Sequence, residues 1–241
     1  MLFRSDATTV TAVVPANVGG DADIQVVTPL GTATLALAFN YQYPIAWATT
    51  LEARPDPAVV ANEALRRQIV ESGFPWRVRD NLANIEMVLV PSWIYAMGCS
   101  SSSIASCEDD ELPVHEVALT QPFYIGRYEV TQAQWTAIMG SNPAMLQSPS
   151  KQVPASAVPN RPVESVSWNM VQGFLAATRL RLPTEAEWEH AYRAATTTAF
   201  HASPASPNGT NDESALGDIA WFSDTSGRQT RPVGQGVAAN G

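Results

Sequence analysis

Apolar and polar positions alternate in the first forty residues. Val10, Ala12 and Val14 alternate with Thr9 and Thr11, and Ile24-Gln25-Val26-Val27-Thr28 and Thr32-Ala33-Thr34-Leu35 follow after turn residues at 15–21 and 29–31. Short strands at this spacing predict an antiparallel sandwich segment. The pattern changes at Pro44. Pro55-Asp56-Pro57 marks turn or extended backbone, and Asn62 caps a short helix through Leu65 and Ile69, with Gly73 beyond its end. Asp56 with Pro57 offers an alternative start. Arg77 and Arg79 then alternate as in a strand, placed to face solvent or to pair with Asp80 and Glu86.

Glu86 to Pro91 reads as a buried strand, with Ile94 to Cys99 as its partner. Residues 113–120 alternate as a further strand, which Phe123-Tyr124-Ile125 continues. Three helix starts follow, each built around a cap. Thr131 is an N-cap with Gln134 three residues on, and Val130 and Trp135 stand in the staple positions; Gly140 ends that helix. Ser167 caps the next helix, which buries Val171, Phe174 and Leu175. Thr184 with Glu187 makes another capping box, with Pro183 and Trp188 as the staple. Glu185, Glu187 and Glu189 crowd the positive end of that helix dipole. Trp188, Ala191, Tyr192 and Ala195 recur at helical spacing and predict its buried stripe.

Composition adds bounds to this layout. The chain has 241 residues, 45% apolar and 15% charged, so a packed chain of one large or two modest domains is expected. Seven Trp, 18 Pro and 14 Gly point to aromatic cores under loop-rich backbone with few long helices. Net charge is −9, and Lys151 is the only lysine. Phosphate affinity needs a basic face, so nucleic acid is excluded as a partner. No apolar run approaches the roughly 20 residues of a membrane span. Met1-Leu2-Phe3-Arg4 leads directly into strand-like sequence without a secretory signal.

Cys99 and Cys107, the only cysteines, flank a Ser-rich loop. With His115 they lack a fourth ligand and zinc spacing, and there is no Cys-x-x-Cys redox spacing. A disulfide closing a short acidic loop is the simplest reading, with free thiols next; a disulfide implies an oxidising compartment. His115, His190 and His201 each read as surface residues rather than ligands. Glu185 and Glu187 suggest acid/base work, but their places in a first helical turn account for them. Asn208-Gly209-Thr210 fits a glycosylation pattern, which carries little weight in a bacterial-type protein.

Five motifs in colinear order resemble the formylglycine-generating, sulfatase-modifying family. They are the strand ending in Pro91 followed by one ending in Met97-Gly98; Phe123 to Trp135, with Glu129, Thr131 and Trp135; Pro162-Val163-Glu164-Ser165-Val166-Ser167-Trp168; Arg181-Leu182-Pro183-Thr184-Glu185-Ala186-Glu187-Trp188-Glu189; and Arg231-Pro232-Val233-Gly234, with residues 238–241 opening a further motif. The family has Gly where Ser92 or Trp93 stands, and Asp after the Trp at 168 where this chain has Asn169. Residues 12–41 separately resemble the second half of an IPT/TIG immunoglobulin-like domain, without its opening strands.

These resemblances imply a fold and a division of the chain. Residues 1–43 would be a partial all-β immunoglobulin-like segment, 44–84 a linker with a short helix, and 85–241 an α+β, loop-rich, C-type-lectin-like domain incomplete at its C-terminal end. The family's activity is oxidation of a sulfatase active-site cysteine to formylglycine with oxygen, using a copper-binding cysteine pair that falls beyond Gly241. Cys99 and Cys107 precede the motifs and are not that pair, so no residue here is assigned to catalysis and this stretch is expected to be inactive. Asp218 and Ile219 align with a position where relatives hold calcium, and oxygen-rich loops suit that ion; solvated acids are the competing reading. An iron-dependent sulfoxide synthase relative ranks lower, because nothing upstream resembles its helical iron motif. The other reading is a non-catalytic extracellular or cell-surface binding and adhesion module. Partners would then be a sulfatase polypeptide or another extracellular protein.

Overall fold

The structure is a computed structural model. It describes residues 3–5, 10–12, 20–28 and 31–41 as backbone, and 45–99, 109–201 and 209–235 with side chains. Cys107, Asn208, the turn residues Pro15 and Pro29, and residues 238–241 lie outside the described residues.

The N-terminal segment forms two antiparallel pairs. β1 (Phe3–Ser5) pairs with β2 (Val10–Ala12), and β3 (Gly20–Thr28) with β4 (Gly31–Tyr41), with a register shift between Ala22 and Ile24. The alternating stretches of the sequence thus become strands.

The next elements are β5 (Ala48–Glu52), α1 (Glu63–Glu71), β6 (Arg77–Asp80) and β7 (Glu86–Val90). β8 (Trp93–Met97), β9 (His115–Leu119) and β10 (Phe123–Gly126) follow. A four-stranded antiparallel sheet runs in the order β10-β7-β6-β5. The segment read as a linker therefore supplies two of its strands. Asn62 accepts from the Leu65 amide, and Gly73 takes φ 74° just past the helix. Arg79 pairs with Glu86 at 2.6 Å, whereas Arg77 pairs with Glu52 at 2.7 Å. Asp80 pairs with neither arginine: it is buried and accepts from the Leu82 and Ala83 amides, which fixes the β6–β7 turn.

Two expected pairings are corrected. β8 does not pair with β7; it pairs with β9 in a separate two-stranded sheet. Only Pro91 and Ser92 separate β7 from β8, and a two-residue hairpin needs residues that accept positive φ. Nor does β10 continue β9. Pro122 has no amide to extend a ladder, and the chain crosses to pair with β7.

The helices follow the caps. α2 (Gln132–Met139) has both halves of the Thr131–Gln134 capping box and ends at Gly140, φ 75°. α3 (Trp168–Thr178) starts on Ser167, which accepts from the Met170 amide. α4 (Glu185–Arg193) has both halves of the Thr184–Glu187 box. α5 (Ser223–Ser226) is one short turn. Short 3-10 segments occupy Asp109–Glu111, Ala155–Asn160 and Glu213–Asp218.

The main core joins the sheet to α2 and α3 through Ala48, Val78, Ala83, Ile85, Met87, Trp135 and Phe174. Trp135 and Phe174 stack at 5.1 Å with planes 3° apart. A second cluster of Val60, Ile69 and Leu89 seats α1.

The face that α4 buries is another correction. Trp188 is 57% exposed and stacks on Tyr192, whereas His190 is 3% exposed. α4 packs on β8 and β9 through Ala186, Glu189, His190 and Arg193. Tyr95 Oη donates to the Ala186 carbonyl at 2.7 Å, and Glu189 Oε1 accepts from the Gly98 amide at 3.0 Å. Arg193 Nη2 donates to the Gly98 carbonyl at 2.6 Å. This polar face is buried because its charged members and Tyr95 are hydrogen-bonded across the contact.

Candidate functional site

Arg181, Thr184 and Glu187 converge at the start of α4. Arg181 donates through Nη1 and Nη2 to the two carboxylate oxygens of Glu187, both at 2.6 Å. Glu187 Oε2 also accepts from the Thr184 amide at 2.8 Å, and Thr184 Oγ1 accepts from the Glu187 amide. The Arg181 hydrogen bonds, helped by the Thr184 amide, hold the Glu187 carboxyl well below the usual range, at about 2. A carboxylate so fixed stays ionised at neutral pH and has no proton to exchange. Glu187 is a structural clamp, and Pro183 and Glu185 stand beside it as parts of the helix start.

The remaining signature residues divide. Thr131 and Trp135 are buried where α2 meets the sheet and α3. Glu129 is exposed ahead of α2, and Trp168 is 68% exposed at the start of α3. The signature thus marks three helix starts rather than one reactive centre.

Sequence reasoning missed three residues that organise the site region. Arg161 is 1% exposed, and its guanidinium donates to the Leu146 carbonyl at 3.1 Å and to Gln229 Oε1 at 3.3 Å. Gln132 Nε2 donates to the same Leu146 carbonyl, so the two side chains pin the Pro-rich loop. Gly98 at φ 111° joins β8 to α4 through both its amide and its carbonyl. His190 packs against the rings of Trp93 (6.5 Å) and Tyr95 (5.2 Å), and burial lowers its pKa. The expectation of surface histidines is corrected for His190. His201 is partly buried, with burial lowering its pKa and Tyr192 packed edge-on against its ring. His115 remains exposed, its Nδ1 3.0 Å from the Pro113 carbonyl.

Two cavities flank these elements. One, of about 400 Å³, is a polar groove before α2, bordered by Arg79, Glu86, Tyr128, Glu129 and Gln134. The other, of about 330 Å³, lies between β8 and α4.

The donor atoms do not fit a copper centre. No described cysteine is free, and among the described residues no three His, Cys, Asp or Glu side chains come together. A thiolate pair is what would select copper. Asp218 ends the 3-10 segment at the surface and Ile219 follows it. Calcium takes six to eight oxygens, and no cluster of acids forms around Asp218 among the described residues.

Residues 76–239 match the family described as the Sulfatase-modifying factor enzyme 1-like domain. The chain is similar to the formylglycine-generating enzyme of Bos taurus, with 27% identity over 45% of this chain and 39% of that one. It is similar to that of Streptomyces coelicolor, with 29% identity over 58% of this chain and 54% of that one. The chain spans about half the length of these curated relatives. Among solved structures it is similar to Treponema denticola variable protein 1, at 24% identity and a TM-score of 0.46, over 63% of this chain and 66% of that one.

Proposed function

The chain belongs to the FGE-sulfatase family of sulfatase-modifying factor enzyme 1-like domains, and from that premise we propose that the protein containing it oxidises a sulfatase cysteine to formylglycine with oxygen. The observation that carries this reading is the match across residues 76–239, together with relatives named as formylglycine-generating enzymes. Within the reading, the described residues are the scaffold and the partner is a sulfatase polypeptide. Copper would be held by cysteines other than Cys99 and Cys107.

A disulfide implies an oxidising compartment, and on that ground we infer a location outside the cell or on its surface. We assign a Cys99–Cys107 disulfide, supported by the absence of a free cysteine among the described residues. Residues 1–43 are read as part of an IPT/TIG module, supported by the β3–β4 ladder. Asp218 with the Ile219 carbonyl is kept as a weak calcium position.

A second reading is a non-catalytic extracellular binding or adhesion module, supported by the β3–β4 ladder that precedes the loop-rich domain. Co-expression of the full-length protein with a sulfatase, followed by mass analysis of the sulfatase's active-site peptide, separates the two. Conversion of the cysteine to the aldehyde is expected. An unmodified cysteine beside a folded, soluble protein would leave the binding module.

A further inference from the structure

We propose that the free edge of β8 takes up an extended, uncharged segment of a partner polypeptide as a third strand of the β8–β9 sheet. This goes beyond the family activity and does not depend on it. β8 is bonded to β9 alone. Apart from that ladder, no hydrogen bond among the described residues reaches the main chain of Trp93–Met97. α4 bonds this main chain just beyond each end: His190 bonds the Pro91 backbone, and Glu189 and Arg193 bond Gly98. The five residues between keep an open edge.

Alternation along the strand identifies the groups on that edge. A residue of an antiparallel strand sends its N–H and its C=O to one side, and its neighbours send theirs to the other. The Cys99 amide turns toward the chain that leads into β9, donating to the Glu111 carbonyl at 3.2 Å. The Gly98 amide and carbonyl turn instead to α4. Counting back by two from Gly98, the main-chain groups of Ala96 and Ile94 point away from β9. Both residues are exposed, Ile94 at 58%. The cavity of about 330 Å³ lies along this edge. Successive side chains of a strand point to opposite faces, yet Trp93, Ile94, Tyr95 and Ala96 all border the cavity. It therefore runs beside the strand and not over one face, with Ala195, Thr196 and Thr197 bordering it from the turn after α4.

The open groups select the occupant. Unpaired N–H and C=O groups at strand spacing are matched by another extended main chain, while alternate side chains of the incoming strand give specificity. Proteins blunt an edge that is to stay free with a charge, a proline or a bulge. β8 reads Trp-Ile-Tyr-Ala-Met and keeps an unbroken register with β9, so it has none of these. A two-stranded sheet is marginal, and a third strand strengthens it. Arg193 on the cavity wall is held by Glu189 at 2.6 Å and by the Gly98 carbonyl. With that charge matched, the segment that fits is uncharged, with an apolar side chain entering beside the rings of Trp93 and Tyr95.

The probe is the peptide acetyl-Thr-Val-Thr-Val-Thr-amide, added to the 241-residue chain while backbone amide resonances and their hydrogen exchange are followed. Saturating peptide should slow exchange of the Ile94 and Ala96 amides at least tenfold. Two analogues carry N-methyl groups on either the Val or the Thr amides; one should bind at least tenfold more weakly and the other should not, because only one alternate set faces β8. Ala96→Pro removes an edge donor and keeps the β9 ladder, so it should abolish binding, whereas Ala96→Ser should bind as the wild type does. Edge amides unmoved at millimolar peptide, equal affinity for the two methylated analogues, or unchanged binding by a folded Ala96→Pro overturns the proposal. Protection of the same amides by dimerisation of the free chain would make a second copy the occupant and overturns it too. If Ala96→Pro does not fold, the methylated pair on the wild-type chain decides it.

Discussion

At the scale of single residues, Glu187 shows how charge is used for structure. Its carboxylate satisfies the Thr184 amide and both Arg181 donors at the positive end of α4. Because Arg181 is more than half exposed, solvent screens the pair, and its worth is of the order of a surface ion pair, about 0.5–1 kcal/mol. Glu187→Gln keeps a side-chain oxygen for the cap and loses the ion pair, so it should cost about that much at neutral pH. An unfolded glutamate titrates near about 4.3, and the folded one near about 2. The contribution is therefore full above about pH 4.3 and disappears as pH falls toward 2. Urea melts of the two proteins across that window should converge; a constant gap would contradict the assignment.

His190 works in the opposite range. Burial holds its folded pKa below the ordinary histidine value. The unfolded side chain accepts a proton near about pH 6.5, while the folded one resists. Stability should be full above about 6.5 and decline as pH drops below it, with His201 adding in the same direction. His190→Gln should flatten part of that decline between pH 7 and 5. Parallel curves for variant and wild type would show that His190 does not carry it.

At the scale of elements, α2 and α3 are joined by one aromatic stack. Phe174→Ala removes the partner of Trp135 from a buried position and should cost about 3–5 kcal/mol, measured by chemical denaturation. Gly98 is the corresponding joint between β8 and α4. It sits at φ 111°, and an added Cβ would collide with the Glu111 carbonyl. Gly98→Ala should lose about 1–3 kcal/mol from backbone strain before that collision is counted. An unchanged melting midpoint would mean that the joint is not fixed as described. The helix starts at Thr131, Ser167 and Thr184 were legible because a cap is a local device: the side chain and the amides it serves are three residues apart. Strand pairing was not legible to the same degree. β7 and β8 are neighbours in sequence, but the Pro91-Ser92 turn sends them to different sheets, and the partners β9 and β10 come from farther along. The buried face of α4 was misread for another reason. Its packing is carried by Glu189, His190 and Arg193, which a search for apolar periodicity passes over, while Trp188 and Tyr192 cover each other at the surface.

At the scale of the whole molecule, the described residues form a scaffold that carries its family's signature at helix starts. Arg161 and Gln132 hold the Pro-rich loop, α4 locks onto β8 and β9, and the four-stranded sheet reaches back to Ala48. Among the described residues no helix is long and apolar enough to cross a membrane. The candidate site was legible as a family address but not as chemistry, because the Arg181-to-Glu189 run is occupied with capping and the His190 cavity depends on contacts between distant segments. Under the proposed reading the described residues supply the fold, and the oxidation depends on copper held by cysteines other than Cys99 and Cys107. This central claim is tested most directly by aerobic incubation of the 241-residue chain with copper and a sulfatase-derived cysteine peptide, followed by mass spectrometry of the peptide. The account predicts no formylglycine above the level in peptide without protein. Formation of the aldehyde over several turnovers would contradict it.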